Sequence, residues 1–119
     1  HNPIFGEDMR IEHWSNAADQ GRHAAKTLLG DDKPFLSVPY FWTDQYDTKL
    51  RFIGRAAGHT DMRVEHMTDS ELVVTMGRKG VLIGAVCVGA PRLLAQYKAA
   101  IHQQTPWSEA ASLATQLSG

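Results

Sequence analysis

The chain has 119 residues, 43% of them hydrophobic and 21% charged, which is the size and make-up of about one soluble globular domain. Twelve Lys and Arg against 13 Asp and Glu leave a net charge of −1 and no basic block, which speaks against nucleic-acid binding. The longest apolar run, residues 81–90, is broken by glycines and is too short to cross a bilayer.

In chain order, residues 1–12 (HNPIFGEDMRIE) read as an Asn-Pro turn followed by a short extended segment. A helix is predicted next, capped by Ser15 or Asn16, with Asp19 in its first turn and Gly30 closing it. Ala17, Ala24, Ala25, Leu28 and Leu29 make a narrow apolar stripe on that helix, while Asp19, Arg22 and Lys26 face outward. DDKP, residues 31–34, reads as a linker, and a boundary is expected between about Gly30 and Pro39.

Beyond it the period changes from helical to alternating. KLRFIGR sets Leu50, Phe52 and Gly54 against Lys49, Arg51 and Arg55, and MRVEHM sets Met62 and Val64 against Arg63 and Glu65. ELVVTMGRKGVLIGAVCVG reads as a hairpin around Arg78-Lys79-Gly80, with VLIGAVCV as a central strand buried on both faces. Pro91 opens a helix lined by Leu93, Leu94, Tyr97 and Ile101, and a second short helix, capped by Ser108, carries Leu113 and Leu117. The fold class is therefore α+β: one N-terminal helix, then a small antiparallel sheet with C-terminal helices.

Self-contained catalysis finds no support. No GxGxxG or GxxxxGK[ST] loop is present, so the chain lacks a dinucleotide cradle of its own. His59, Asp61 and His66 lack metal-ligand spacing and read as surface groups, and Cys87 in a valine-rich strand reads as an inert core residue. Ser15 and His13 have no visible triad partner, so neither a catalytic residue nor a metal ligand is assigned. A lone cysteine and no charged-then-apolar leader lead to an expected cytoplasmic location. The start at His1 rather than Met leads to the expectation of a processed or truncated piece of a longer parent.

Two aromatic sites stand out. PYFWTDQYD, residues 39–47, packs Tyr40, Phe41, Trp42 and Tyr46 around a proline and two aspartates, either as core or as a platform for a flat ligand. EHW, residues 12–14, stands at a helix start, where free N–H groups and a partial positive charge suit a carbonyl edge or an anionic ring. RIEHWSNAADQGRHAAKTLLG followed by VPYFWTDQYDTKLRFIG resembles the final third of the FAD- and NAD(P)H-dependent ferredoxin reductases of oxygenase systems, the group of rhodocoxin, putidaredoxin and rubredoxin reductases.

The resemblance implies that residues 1–38 are the tail of an FAD-binding domain and residues 39–119 a reductase C-terminal, interface-type domain. It implies that His13, Trp14 and Trp42 lie against the flavin of the parent, with Glu12 and Trp42 near the nicotinamide. Thr43 replaces the serine more usual in that motif. It further implies FAD and NAD(P)H as cofactors, neither bound tightly by this piece, and a ferredoxin-type iron–sulfur protein as partner. The piece by itself is expected to be inactive and to form a homo-oligomer or exchange its helical segment between copies. A stand-alone assembly module, or a related disulfide or nitrile reductase, is the alternative.

Overall fold

A computed structural model of the chain describes residues 1–115. The elements run α1 (Trp14–Leu28), β1 (Tyr40–Gln45), β2 (Thr48–Gly54), β3 (Asp61–Met67), β4 (Leu72–Arg78) and β5 (Val81–Val88). A 3-10 turn (Pro91–Leu93), α2 (Leu94–His102) and α3 (Trp107–Thr115) follow. The strands form one antiparallel sheet in the order β1-β2-β5-β4-β3.

The central place of β5 follows from its composition. With no charged side chain in VLIGAVCV, the strand tolerates a neighbour on each side, and Leu82, Ile83, Ala85 and Cys87 are all buried. Burial pushes the Cys87 thiol up to about 11, the inert state expected of a core cysteine. Val86 and Val88, on the opposite face, are only half-buried, so β5 is less completely enclosed than its sequence suggested. The hairpin to β4 turns at Lys79 and Gly80, as its residues predicted.

Registry puts Ile53, Ala85, Cys87, Val73 and Thr75 on one sheet face, where the C-terminal helices seal them. Pro91 does start the helical region, and Leu93, Tyr97 and Ile101 are its buried side, with Leu94 half-buried. The Tyr97 hydroxyl reaches no hydrogen-bond partner among the described residues, and burial raises its pKa. Ser108 does not cap α3 but lies inside its first turn, because the helix begins at Trp107. Leu113 is half-buried, and Leu117 lies outside the described residues.

Both alternations hold, with the deeper side chains on the faces of Arg51 and Glu65. In β2 the deepest residue is Ile53, on the same face as Arg51, while Leu50 and Phe52 are half-buried. In β3, Met62 and Val64 are 66% and 56% exposed, whereas the Glu65 side chain is 4% exposed on the helix-covered face. The reason is local. Glu65 accepts hydrogen bonds from Arg63 (2.8 Å) and Thr75 (2.7 Å), and the Arg63 guanidinium lies 4.3 Å from the Trp107 ring centroid. This buried ion pair and cation–π contact outweigh binary patterning, and a register break between Val64 and His66 completes the twist.

Among the described residues, the other sheet face is covered only at one end, by residues 1–13. Asn2 and Glu7 bridge across a turn, and Arg78 donates to the Phe5 carbonyl (3.0 Å). Arg55 donates to Glu7 (2.9 Å), and the buried Asn2 amide donates to the Ser37 carbonyl (2.7 Å). These bonds hold the N-terminal segment over the sheet, which is what positions the residues described below.

Two tests follow from this packing. Tyr97→Phe removes an unpaired buried hydroxyl and keeps the ring, so chemical denaturation should show stability unchanged or raised by about 1 kcal/mol. Tyr97→Ala should instead cost about 3–5 kcal/mol. The second test concerns acid. The bidentate Arg92 pair (2.6 and 2.9 Å), with His66 3.0 Å away, holds the Glu71 carboxyl down at about 2. A depressed carboxylate stabilises the fold fully above its unfolded pKa and loses that contribution as pH falls through the folded one. Thermal midpoints of Glu71→Gln should therefore lie below those of the unchanged chain at pH 6 and converge with them between about pH 4.5 and pH 2.

Candidate functional site

The aromatic residues of the two singled-out stretches meet at the free edge of the sheet. α1 starts at Trp14, so the indole belongs to the first turn and His13 occupies the capping position. Neither Ser15 nor Asn16 caps the helix, and Asp19 falls in its second turn, which corrects the sequence reading. The helix end is as predicted. Gly30 adopts φ 101 and closes a double-bonded terminus in which Gly30 donates to the Thr27 carbonyl and Asp31 to that of Lys26, both at 3.0 Å.

β1 alternates, so Tyr40 and Trp42 point to one side and Phe41 to the other. Trp42 stacks on Tyr40 at 5.4 Å between centroids and meets the Trp14 indole edge-on at 6.4 Å and 88°. On the opposite side the His13 ring lies 5.2 Å from Phe41, with its Nδ1 buried and without a partner among the described residues. Trp14 and Trp42 are 77% and 40% exposed, so neither is a plug for the core. The open alternative for the aromatic run is thus decided against simple core filling for Trp42.

These groups wall two clefts. One, of about 310 Å³, lies among Glu12, His13, Trp14, Tyr40, Phe41 and Trp42. The other, of about 460 Å³, runs under the segment of residues 10–13, with Phe41 and Phe52 on its floor and Arg10 and Arg55 at its sides. Both volumes suit a small flat organic molecule. Glu12 is exposed and pairs with Arg10 at 3.2 Å, leaving its second oxygen for a donor from outside. Glu12, His13, Trp14 and Trp42, singled out from sequence, are therefore together. Phe41 and Phe52 were missed as site residues, although Phe41 stood inside the quoted aromatic run.

His59, Asp61 and His66 do not converge: His59 bonds the Ala56 carbonyl, Asp61 accepts from Thr60, and His66 faces Glu71. Among the described residues there is no group of three or more side chains suited to hold a metal.

Residues 40–118 match the family model described as the reductase C-terminal domain. The chain belongs to this family. Its sequence is 34% identical over 98 residues to the 5,5'-dehydrodivanillate O-demethylase ferredoxin reductase subunit of Sphingobium sp., covering 81% of this chain and 24% of that protein. It is 36% identical over 93 residues to the ferredoxin–NAD(+) reductase component of the anthranilate 1,2-dioxygenase system of Burkholderia cepacia, covering 76% and 23%. In fold it is similar to the reductase of the covalent putidaredoxin reductase–putidaredoxin complex, with a TM-score of 0.83 and 23% identity over 98% of this chain and 30% of that one. The chain thus spans about a quarter of the length of the curated relatives it matches.

The fold likeness extends beyond the reductase C-terminal domain itself to α1 and the N-terminal segment, since nearly the whole chain superposes. Within this family member, exposure separates the two indoles. Trp14→Ala should change folding stability by no more than about 0.5 kcal/mol, as exposed substitutions do. Trp42→Ala loses a stacked and an edge-on partner and should cost about 1–2 kcal/mol. Equal losses in urea titrations of the two variants would contradict this placement.

Proposed function

We propose that this chain is the C-terminal part of an FAD-dependent reductase that carries electrons from NAD(P)H to a ferredoxin-type iron–sulfur protein of an oxygenase system. In this reading residues 1–38 are the tail of the flavin domain and residues 39–119 the reductase C-terminal domain. The observation that carries it is the exposed aromatic edge of Trp14, Trp42 and Tyr40 beside a helix start that no side chain caps. Aromatic faces, a helix N-terminus and an unpaired His13 Nδ1 suit a flat heteroaromatic ring with carbonyl edges. The names of the two relatives, a ferredoxin reductase subunit and a ferredoxin–NAD(+) reductase component, support the nicotinamide and ferredoxin classes.

The residues present fit the ring of a flavin and not its pyrophosphate, for which the sequence offers no glycine-rich loop. When bound, the flavin supplies hydride acceptance and one-electron transfer. The chain's own groups would hold and orient: Trp14, Trp42 and His13 would lie against the ring, and Glu12 would stand near the nicotinamide. None of them takes up or releases a proton in this scheme.

α1 supports the same reading. Asn16 is its one buried residue, and Ala17, Ala24, Ala25, Leu28 and Leu29 are all exposed. A helix of this length gains most of its stability from packing an apolar face, so the stripe calls for the body of a flavin domain. In the 119-residue chain by itself, the same stripe favours self-association.

A chimera tests the proposal: the upstream three-quarters of the Burkholderia cepacia reductase component joined to this chain. It should purify yellow with FAD and be reduced by NADH, while the 119-residue chain by itself binds no FAD at micromolar concentration in calorimetry. Trp42→Phe and Trp42→Ala in the chimera should stay folded, alter the flavin spectrum and slow its reduction in stopped-flow traces. A folded but colourless chimera would sink the proposal, and unchanged rate and spectrum in both variants would remove Trp42 from the site.

A further inference from the structure

Ser15 and Asn16 are residue types that ordinarily fold back on a helix start and accept its free N–H groups. Here both do the opposite and donate away from the helix. The Ser15 hydroxyl donates to the Tyr40 carbonyl of β1 at 2.8 Å, across 25 positions of sequence. The Asn16 amide, on a side chain 6% exposed, donates to the Ile11 carbonyl at 3.0 Å. Neither residue lines either cleft.

What each bond holds is specific. Tyr40 stacks on Trp42, and Ser15 follows Trp14 directly, so one hydrogen bond sets the separation of helix and strand that brings the two indoles edge-on. Ile11 precedes Glu12 and His13, so the second bond fixes the turn that delivers the carboxylate and the imidazole beside the aromatic edge. α1 is otherwise loosely held, its other aromatic contact being the His23–Phe35 pair at 5.2 Å. Without the two bonds, little in the described residues would determine where its first turn lies.

We infer that Ser15 and Asn16 are positioning residues, which register Trp14 against Trp42 and Glu12 against His13 while touching no ligand themselves. The functional part of this inference rests on the flavin-ring reading of the site. A helix start relieved of its own caps gains a further property: its first-turn N–H groups stay free for whatever binds there.

The first experiment uses the 119-residue chain. Its three tryptophans give three indole N–H signals in a proton–nitrogen correlation spectrum, assigned by Trp→Phe replacement. Ser15→Ala should move the Trp14 and Trp42 signals and leave Trp107 in place, and Ser15→Thr, which keeps the hydroxyl, should restore them. Asn16→Asp keeps the shape but loses the donor at neutral pH, so it should move the Trp14 signal as Asn16→Ala does. Unmoved Trp14 and Trp42 signals in folded variants, or equal movement of all three, would overturn the inference.

The second experiment places Ser15→Ala and Asn16→Asp in the chimeric reductase. FAD content should be kept while reduction by NADH slows about tenfold, the scale of a small misplacement of reacting groups, with Ser15→Thr again restoring the rate. Unchanged rates in yellow variants would refute the positioning role alone. A colourless parent chimera would instead refute the flavin reading, and the indole signals would still decide whether the two bonds register the aromatic pair.

Discussion

The structure turns on the corner at Gly54, where three segments come within touching distance of one backbone. The residue adopts φ 87, and a Cβ there would stand 2.1 Å from the Ile83 carbonyl and 3.0 Å from the Ile101 side chain. Its N–H donates to the Pro39 carbonyl at 2.8 Å, and the next N–H, of Arg55, donates to Ile83 at 2.7 Å. Strand β1 is therefore hung at its start from the end of β2, and β2 is locked to β5 in the same place. Arg55, turned out of the sheet by this corner, reaches Glu7 and so fixes the N-terminal segment above Phe41 and Phe52. Any side chain at position 54 would push apart the strands that carry the aromatic edge.

From that corner the two sheet faces take different characters. One is sealed by helices and holds nearly all the fully buried side chains, including the Glu65–Arg63 pair set under Trp107. The other carries Leu50, Phe52, Leu72, Val74, Val86, Val88, Met62 and Val64, with Arg78 at one end tied to the N-terminal segment, and among the described residues only that segment lies across it. An antiparallel sheet that leaves one face to water ordinarily makes that face polar, and this one is mostly apolar. The asymmetry agrees with the proposal that this chain is part of a larger enzyme whose remaining body supplies further cover.

Legibility from sequence followed the reach of the forces involved. Local signals were readable: Gly30 as a helix stop, Lys79-Gly80 as a turn, Pro91 as a helix start and VLIGAVCV as the middle strand. Each depends on backbone preference or simple burial within a few residues. The helix start was misread because Ser15 and Asn16 spend their hydrogen bonds on Tyr40 and Ile11, and chain partners so placed leave no trace in a propensity. The deeper face of β3 was not readable because Arg63, Glu65, Thr75 and Trp107 satisfy one another across 44 positions. The aromatic edge itself came through family resemblance. Residue chemistry alone left Trp42 between core and platform, and Phe52 gave no sign of belonging to the same cleft.

The burial of Cys87 has a practical side. It is the chain's one thiol, sits at 0% exposure in the middle strand and titrates only near 11, so reagents that seek thiolates find nothing to attack on the folded surface. A cysteine introduced at any exposed position is then the sole reactive handle. Spin labels, fluorophores or cross-linkers can be attached one at a time along α1 or around the open sheet face, with no native cysteine to remove first.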